Sequence, residues 1–199
     1  MWCLVVFAAS CRGARGEPNE QAIDARRAPE QRHLTDGELT ELPAELAGGV
    51  KLTPRARYRI AARVLSRERY RFGWRADVSP VDLALGWAAL GDPNVDRWID
   101  WSQGGRWYFW QWSAGSPYQN DAIRHQSANV HVVPANDNLR RALLAVDADD
   151  LVQLSGWLVD LEGPERDRWR TSLSRTDRGN RSCELLYVTE LADQETVYR

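Results

Sequence analysis

A strong two-residue alternation between residues 55 and 71 constrains the fold more than any other feature of the chain. The apolar parity there includes Tyr58, Ile60, Ala62 and Val64, and the other parity includes Arg55, Arg57, Arg59, Arg63, Arg67, Arg69 and Arg71. Side chains of a β-strand alternate between its two faces, so this period predicts a half-buried strand with arginines facing solvent. A strand this long usually bends to serve both sides of a small barrel.

Helix signals follow this strand at three places. Residues 79–82 (Ser-Pro-Val-Asp) have the form of a helix start of capping-box type, and apolar residues at helical spacing come after them. Asp92-Pro93 predicts a further short helix. Asn136 or Asp137 is expected to cap a helix whose apolar residues line one face. We therefore expect two or three short helices.

The other strands are predicted from apolar runs bounded by turn residues. Residues 98–112 indicate a hairpin that turns at Gly104-Gly105, and further strands are expected over residues 129–133, 151–161, 169–174 and 183–190. Gly156, inside one of these runs, indicates a bulge or a barrel corner. The order of a long strand, helix, hairpin, strand, helix and three strands predicts a mainly β fold of the OB-like, partly open barrel type.

The first fifty residues differ in composition from the rest. Residues 1–11 form an apolar leader whose end, Ala8-Ala9-Ser10-Cys11, resembles the end of a bacterial lipoprotein signal peptide, with Cys11 as the acylated residue. Residues 12–50 are rich in Arg, Glu, Pro, Gly and Ala and predict a flexible linker. Residues 51–199 would then form one barrel-like globular domain, exported to the periplasm or anchored to a membrane of a bacterium.

Four motifs together are similar to those of a group of uncharacterised bacterial proteins. They are SPVDLALGW at residues 79–87, SQxxRWYFW at 102–110, NxHxxPAN at 129–136 and SLSRTDxGxxxCE at 172–184. The resemblance covers about residues 52–191. It implies a small protein behind an exported or anchored N-terminus, and it implies no established activity.

The aromatic hairpin supplies the leading functional hypothesis. The chain has ten Trp, and aromatic residues occupy both parities of the second hairpin strand, so one face must be covered or remain as an exposed apolar surface. We expect a non-catalytic binding module of the cell envelope whose partner is a protein, a peptide or a glycan. The expected binding residues are Trp101, Arg106, Trp107, Trp110, His131 and Arg175.

Two other functions stay open at this point. A hydrolase-like enzyme could use His131 with Ser172, Ser174 or Cys183, although no Gly-x-Ser-x-Gly nucleophile elbow is present. A single-strand nucleic-acid binder would also combine arginines with aromatics, but the formal net charge of -2 does not favour nucleic acid as a partner. No cofactor and no metal are expected, because His125 and His131 lack the spacing of a zinc site.

Overall fold

The computed structural model describes residues 13–174 and 182–199. Within these ranges the strands are β1 (Glu17–Pro18), β2 (Glu30–His33), β3 (Glu45–Leu46), β4 (Val50–Arg69), β5 (Val81–Gly86), β6 (Ile99–Gly104), β7 (Trp107–Trp112), β8 (Ser127–Pro134), β9 (Leu151–Glu162), β10 (Arg168–Trp169), β11 (Glu184–Ala192) and β12 (Thr196–Tyr198). The helices are α1 (Trp74–Val78), α2 (Asn120–His125) and α3 (Asp137–Ala145). Short 3₁₀ turns lie in the connections at Asp36–Thr40, Ala47–Gly49, Ala88–Gly91, Pro93–Arg97 and Pro164–Arg166.

Five of the strands form a ring of hydrogen-bonded neighbours. β4 pairs with β5, β5 with β8, β8 with β11, β11 with β9, and β9 back with β4. The β8–β11 pair is parallel and the other four are antiparallel, with α3 connecting β8 to β9. A five-stranded ring of this kind is the architecture of an OB-like, partly open barrel. The predicted fold class, mainly β with a few short helices, is therefore confirmed.

The interior of the ring holds the main hydrophobic core, and β4 contributes the apolar parity that the sequence predicted. Tyr58, Ile60, Ala62 and Val64 are all buried. The arginines of the other parity are exposed or half-buried with one exception: the side chain of Arg63 is only 2% exposed. The prediction that Arg63 faces solvent is wrong because two carboxylates neutralise it, those of Asp96 and Asp149, each 2.6 Å from its Nη1.

The helix expected to start at residue 79 is a strand. Val81–Gly86 is β5, and all six of its residues are buried between β4 and β8. The helical spacing was misleading because the residues between the spaced positions are also largely apolar, and such a run is typical of a strand covered on both faces. The helix lies just upstream: α1 ends at Ser79, which is its C-cap rather than an N-cap.

The aromatic hairpin forms as predicted, but its turn is shifted by one residue. Gly104 pairs with Trp107, so the two turn residues are Gly105 and Arg106, with φ angles of 60° and 73°. A type I′ turn requires positive φ at both positions, which an arginine rarely adopts. The other strand predictions differ mainly in extent. The strand expected over residues 169–174 is limited to β10, and β12 was not predicted.

The segment of residues 13–50, for which the sequence predicts a flexible linker, lies along the barrel in the structure. β1 pairs with β12, and both β2 and β3 pair with β4. These strands have two to four residues, and every residue of β2 is exposed, so no apolar period could reveal them. Cys11 and the rest of the leader lie outside the described residues. Among the described ones, no helix has the length and apolar character needed to cross a membrane.

Candidate functional site

A cavity of about 610 Å³ opens between the hairpin turn, the outer face of β8 and the connection from β9 to β11. Its described lining residues are Arg75, Gly105, Arg106, Trp107, His131, Arg168, Trp169, Arg170 and Cys183. Four of these nine are arginines, two are tryptophans, and none is an acid. The cavity therefore combines positive charge with flat aromatic surface, the two features that bind an anion attached to a ring or to an apolar group.

The floor of the cavity rests on a buried carboxylate. Asp82 lies on β5 directly opposite His131 on β8, and its side chain is fully buried. Nη1 of Arg106 donates to Oδ1 of Asp82 at 2.6 Å, and Nδ1 of His131 lies 2.9 Å from Oδ2. The second contact does not meet hydrogen-bond geometry, so it is a close polar contact only. Asp82 thus anchors an arginine, whereas the sequence assigned it to a helix cap.

Arg106 is fixed through its backbone as well as its side chain. Its main-chain N–H donates to the hydroxyl of Tyr70 at 2.8 Å, and its carbonyl accepts from Nδ2 of Asn129 at 2.9 Å. Its guanidinium lies 3.7 Å from the centroid of the Tyr70 ring and donates to the carbonyl of Ser79. Burial raises the pKa of Tyr70 to about 12, so the phenol stays neutral at physiological pH. These contacts hold Arg106 in its left-handed backbone conformation.

Trp169 forms one wall of the cavity and is almost fully buried. Its ring centroid lies 4.7 Å from that of His131 and 6.1 Å from that of Trp74, which it meets edge-on. The guanidinium carbons of Arg75 and Arg106 lie 5.2 and 5.1 Å from the Trp169 centroid. Two cations therefore share one indole ring, which orients them toward the cavity.

The arginines of the cavity differ in how far they are neutralised. Arg106 is paired with a buried carboxylate, whereas Arg75 and Arg168 pair with the solvent-accessible carboxylates of Asp167 and Glu162 at 3.0 and 3.3 Å. Exposed pairs of this kind contribute about 0–1 kcal/mol, so a ligand anion can replace the protein carboxylate at little cost. Arg170 is exposed, and within residues 13–174 and 182–199 no carboxylate forms an ion pair with it.

The structure brings three of the expected binding residues to this cavity, namely Arg106, Trp107 and His131. Trp101 and Trp110 are directly paired across the hairpin and lie on its other face. There they contact Tyr108, with ring centroids 6.4 and 5.3 Å away, and pack against a small apolar cluster of Leu90, Val95, Ile99 and Ile123. Arg175 lies outside the described residues.

Sequence reasoning missed Arg75, Arg168, Trp169 and Arg170 as binding residues. The signal available for them was the repeated pairing of Trp with Arg in segments between strands, at residues 74–75 and 168–170. That signal is weak, because such a pair also occurs on any half-buried surface. Their convergence on one cavity depends on the closure of the ring, which no local pattern specifies.

The residues considered for catalysis are only partly assembled. Cys183 lines the cavity with His131, and its Sγ lies 3.7 Å from Nδ2 of Asn129 and 4.0 Å from the carbonyl of Arg106. The hydroxyl of Ser172 donates to the carbonyl of Ser174 at 2.7 Å and accepts from its N–H at 3.1 Å. Hydrogen bonds of this local kind are typical of a turn-forming serine. Over the described residues, no group of three or more His, Cys, Asp or Glu side chains could hold a metal ion.

Comparison with known proteins assigns the chain to no family. No protein-family model, no curated protein and no solved structure matches the chain.

Proposed function

We propose that this protein is a non-catalytic binding module of the cell envelope that recognises an anionic peptide or glycan in the cavity between the hairpin turn and β10. The observation that carries the proposal is the lining itself: four arginines and two tryptophans with no acid among the described lining residues. Arginine binds a carboxylate through two parallel hydrogen bonds, and an indole face packs on a sugar ring or an apolar side chain.

The organisation of the floor also supports a binding role. Arg106 and His131 are both in contact with Asp82, which is fully buried, so the floor is already ordered before a ligand arrives. Pre-ordered groups lose less conformational entropy on binding than mobile ones. The proposed envelope location is supported by the apolar leader ending in Cys11, and fractionation of the native host would test it.

The experiment measures affinity for three probes: a short oligomer of galacturonic acid, an acidic hexapeptide, and an oligothymidylate. Binding is followed by calorimetry and by quenching of tryptophan fluorescence. We expect Arg170→Gln to weaken binding of the uronic-acid or peptide probe about tenfold, the loss typical of one charge-assisted hydrogen bond. Trp107→Ala is expected to weaken it by a factor of about 3–10, because aromatic contacts contribute less.

Each variant has a matched control on the same element. Arg166 is exposed in the same connection as Arg170, and Trp112 lies on the same strand as Trp107, but neither lines the cavity. Arg166→Gln and Trp112→Ala should leave affinity unchanged. Equal losses in the variants and their controls would refute the cavity as the binding site, and preferential binding of the oligothymidylate would favour a nucleic-acid ligand instead.

A hydrolase is the second candidate, since His131 and Cys183 line one cavity and Oδ2 of Asp82 lies 2.9 Å from Nδ1 of His131. In such an enzyme Asp82 would orient the imidazole and Cys183 would be the nucleophile. The same probes distinguish the two functions. Consumption of a probe by the wild type, lost in Cys183→Ser while affinity is retained, would establish catalysis.

A further inference from the structure

The connection between β4 and α1 carries the most exposed large apolar side chain of the described residues. Phe72 is 93% exposed, compared with 54% for Phe109, the next in order. A single exposed phenylalanine is common and would need no explanation by itself. The surroundings of Phe72 distinguish it from the others.

Three arginines line a hollow that this loop helps to form. Arg69 and Arg71 precede Phe72 in the chain, and Arg140 reaches the same region from α3. With Tyr70, Asp77 and Leu144 they line a hollow of about 290 Å³. Three arginines against one acid give the hollow a net positive charge, and its size accommodates a phosphate or a lipid headgroup.

The arginines of this hollow keep their charge available. Nη1 of Arg140 donates to the carbonyl of Asp77 at 2.8 Å, and Nη2 of Arg69 donates to the carbonyl of Leu144. A carbonyl fixes the direction of a guanidinium without neutralising it, so the remaining N–H groups can still bind an anion. For Arg71, which is exposed, the described part of the chain shows no ion pair.

We propose that residues 69–75, with Arg140, dock the protein on a membrane surface rich in anionic phospholipid. Phe72 enters the interfacial region between headgroups and acyl chains, and Arg69, Arg71 and Arg140 bind lipid phosphates. An exposed apolar side chain that directly follows a cationic hollow suits the interface in both respects, because the apolar side chain gains by leaving water and the cations gain from the negative surface potential.

The shape of the loop favours a membrane over a single-stranded nucleic acid. A nucleic-acid strand binds along a positively charged groove in which aromatic rings face the bases. Phe72 is instead almost wholly solvent-exposed rather than facing a groove, and it follows Arg71 directly. Of the residues that line the 610 Å³ cavity, the docking surface includes only Arg75. The docking proposal can therefore hold even if the proposed cavity ligand is wrong.

The test uses the full chain with Cys11→Ser, so that no acyl group contributes to binding. Vesicles of phosphatidylcholine alone are compared, by co-sedimentation, with vesicles in which about a third of the lipid is phosphatidylglycerol. We expect binding to the phosphatidylglycerol vesicles only, and weaker binding at higher salt. Phe72→Ala should lower the partition coefficient about tenfold, and Arg71→Gln about fivefold.

Two variants control for general effects of losing an aromatic or a cation. Trp112→Ala removes an exposed ring at the far end of the hairpin, and Arg26→Gln removes an arginine whose side chain is 87% exposed on the N-terminal segment. Both should partition like the parent chain, and all variants should keep its thermal unfolding midpoint. Absence of binding, equal binding to both vesicle types, or an unchanged partition for Phe72→Ala would overturn the proposal. Displacement from the vesicles by an oligothymidylate would also overturn the proposal if binding of that oligothymidylate required Phe72.

Discussion

At the scale of single residues, the carboxylate of Asp82 determines whether the floor of the cavity is stable. Removing it by Asp82→Ala would leave the guanidinium of Arg106, itself only partly accessible, without its partner. Breaking a buried ion pair from one side costs about 3–5 kcal/mol, so we expect a loss of that size in the free energy of unfolding. Urea denaturation followed by tryptophan fluorescence measures it.

The matched control is a carboxylate that pairs with another arginine of the same cavity but lies in solvent. Asp167 is 3.0 Å from Arg75, and both side chains are more than a third exposed. Asp167→Ala should therefore cost less than about 1 kcal/mol. Losses of similar size in the two variants would show that the burial of Asp82 does not increase the contribution of its ion pair to the free energy of unfolding.

Asp82 also shows what the sequence can and cannot reveal about a single residue. An acid inside an apolar run must find a partner if the run is buried, so its importance is readable. The Ser-Pro-x-Asp pattern nevertheless favoured a helix cap, because local spacing cannot show that β5 is covered on both faces. The partner, Arg106, lies 24 residues further along and becomes adjacent only when the hairpin folds over the barrel.

At the scale of elements, the seam between β9 and β11 depends on Gly156. A Cβ atom at this position would lie 1.9 Å from the carbonyl oxygen of Tyr187 on β11, which is far inside van der Waals contact. Gly156→Ala must push the two strands apart at the point where they close the ring. We expect it to lower the free energy of unfolding by about 1–3 kcal/mol or more, with faster amide exchange along β9 and β11.

Gly104 provides the control for this prediction, because it also lies in a strand but has open space where a Cβ atom would be, with no atom beyond its chain neighbours within 4 Å. Gly104→Ala should change stability by less than about 1 kcal/mol, and its reduction of unfolded-state freedom acts in the stabilising direction. A loss for Gly156→Ala no larger than that for Gly104→Ala would contradict the steric argument.

The strands of the ring were the most predictable elements. β4, β8, β9 and β11 combine apolar alternation or apolar runs with clear turn residues, and Gly156 was already expected at a bulge or corner. β5 was assigned to the wrong type since its apolar residues also fit helical spacing. Part of the candidate site could be predicted. The aromatic hairpin and His131 were expected from the sequence, whereas β10 is too short to produce a pattern.

At the scale of the whole molecule, the main difference between sequence and structure concerns residues 13–50. The sequence shows a polar segment without periodicity, which is also how a docked segment of short, exposed strands appears. In the structure the carboxylate of Glu38 contacts both the segment and the barrel. It lies 2.6 Å from Nη2 of Arg32, within the segment, and 3.4 Å from Nε of Arg57 on β4. The ion pair with Arg57 thus adds a side-chain contact to the backbone pairing of β2 and β3 with β4.

The contribution of the Glu38 carboxylate to stability should depend on pH. The guanidinium of Arg32 and the main-chain N–H of Thr35 lower the pKa of Glu38 from its ordinary value of 4.5 to about 2. The ionised carboxylate therefore stabilises the folded chain fully above pH 4.5, and this contribution is lost as the pH falls from there to about 2. We expect Glu38→Gln to unfold at a lower temperature than the wild type at pH 6, with faster amide exchange in β2, and the difference should shrink as the pH approaches 2.

Glu30→Gln, on β2 itself, is the control and should show no such pH-dependent difference. If β2 exchanges at the rate of an unstructured peptide in the wild type at pH 6, the segment is the flexible linker that its composition indicates.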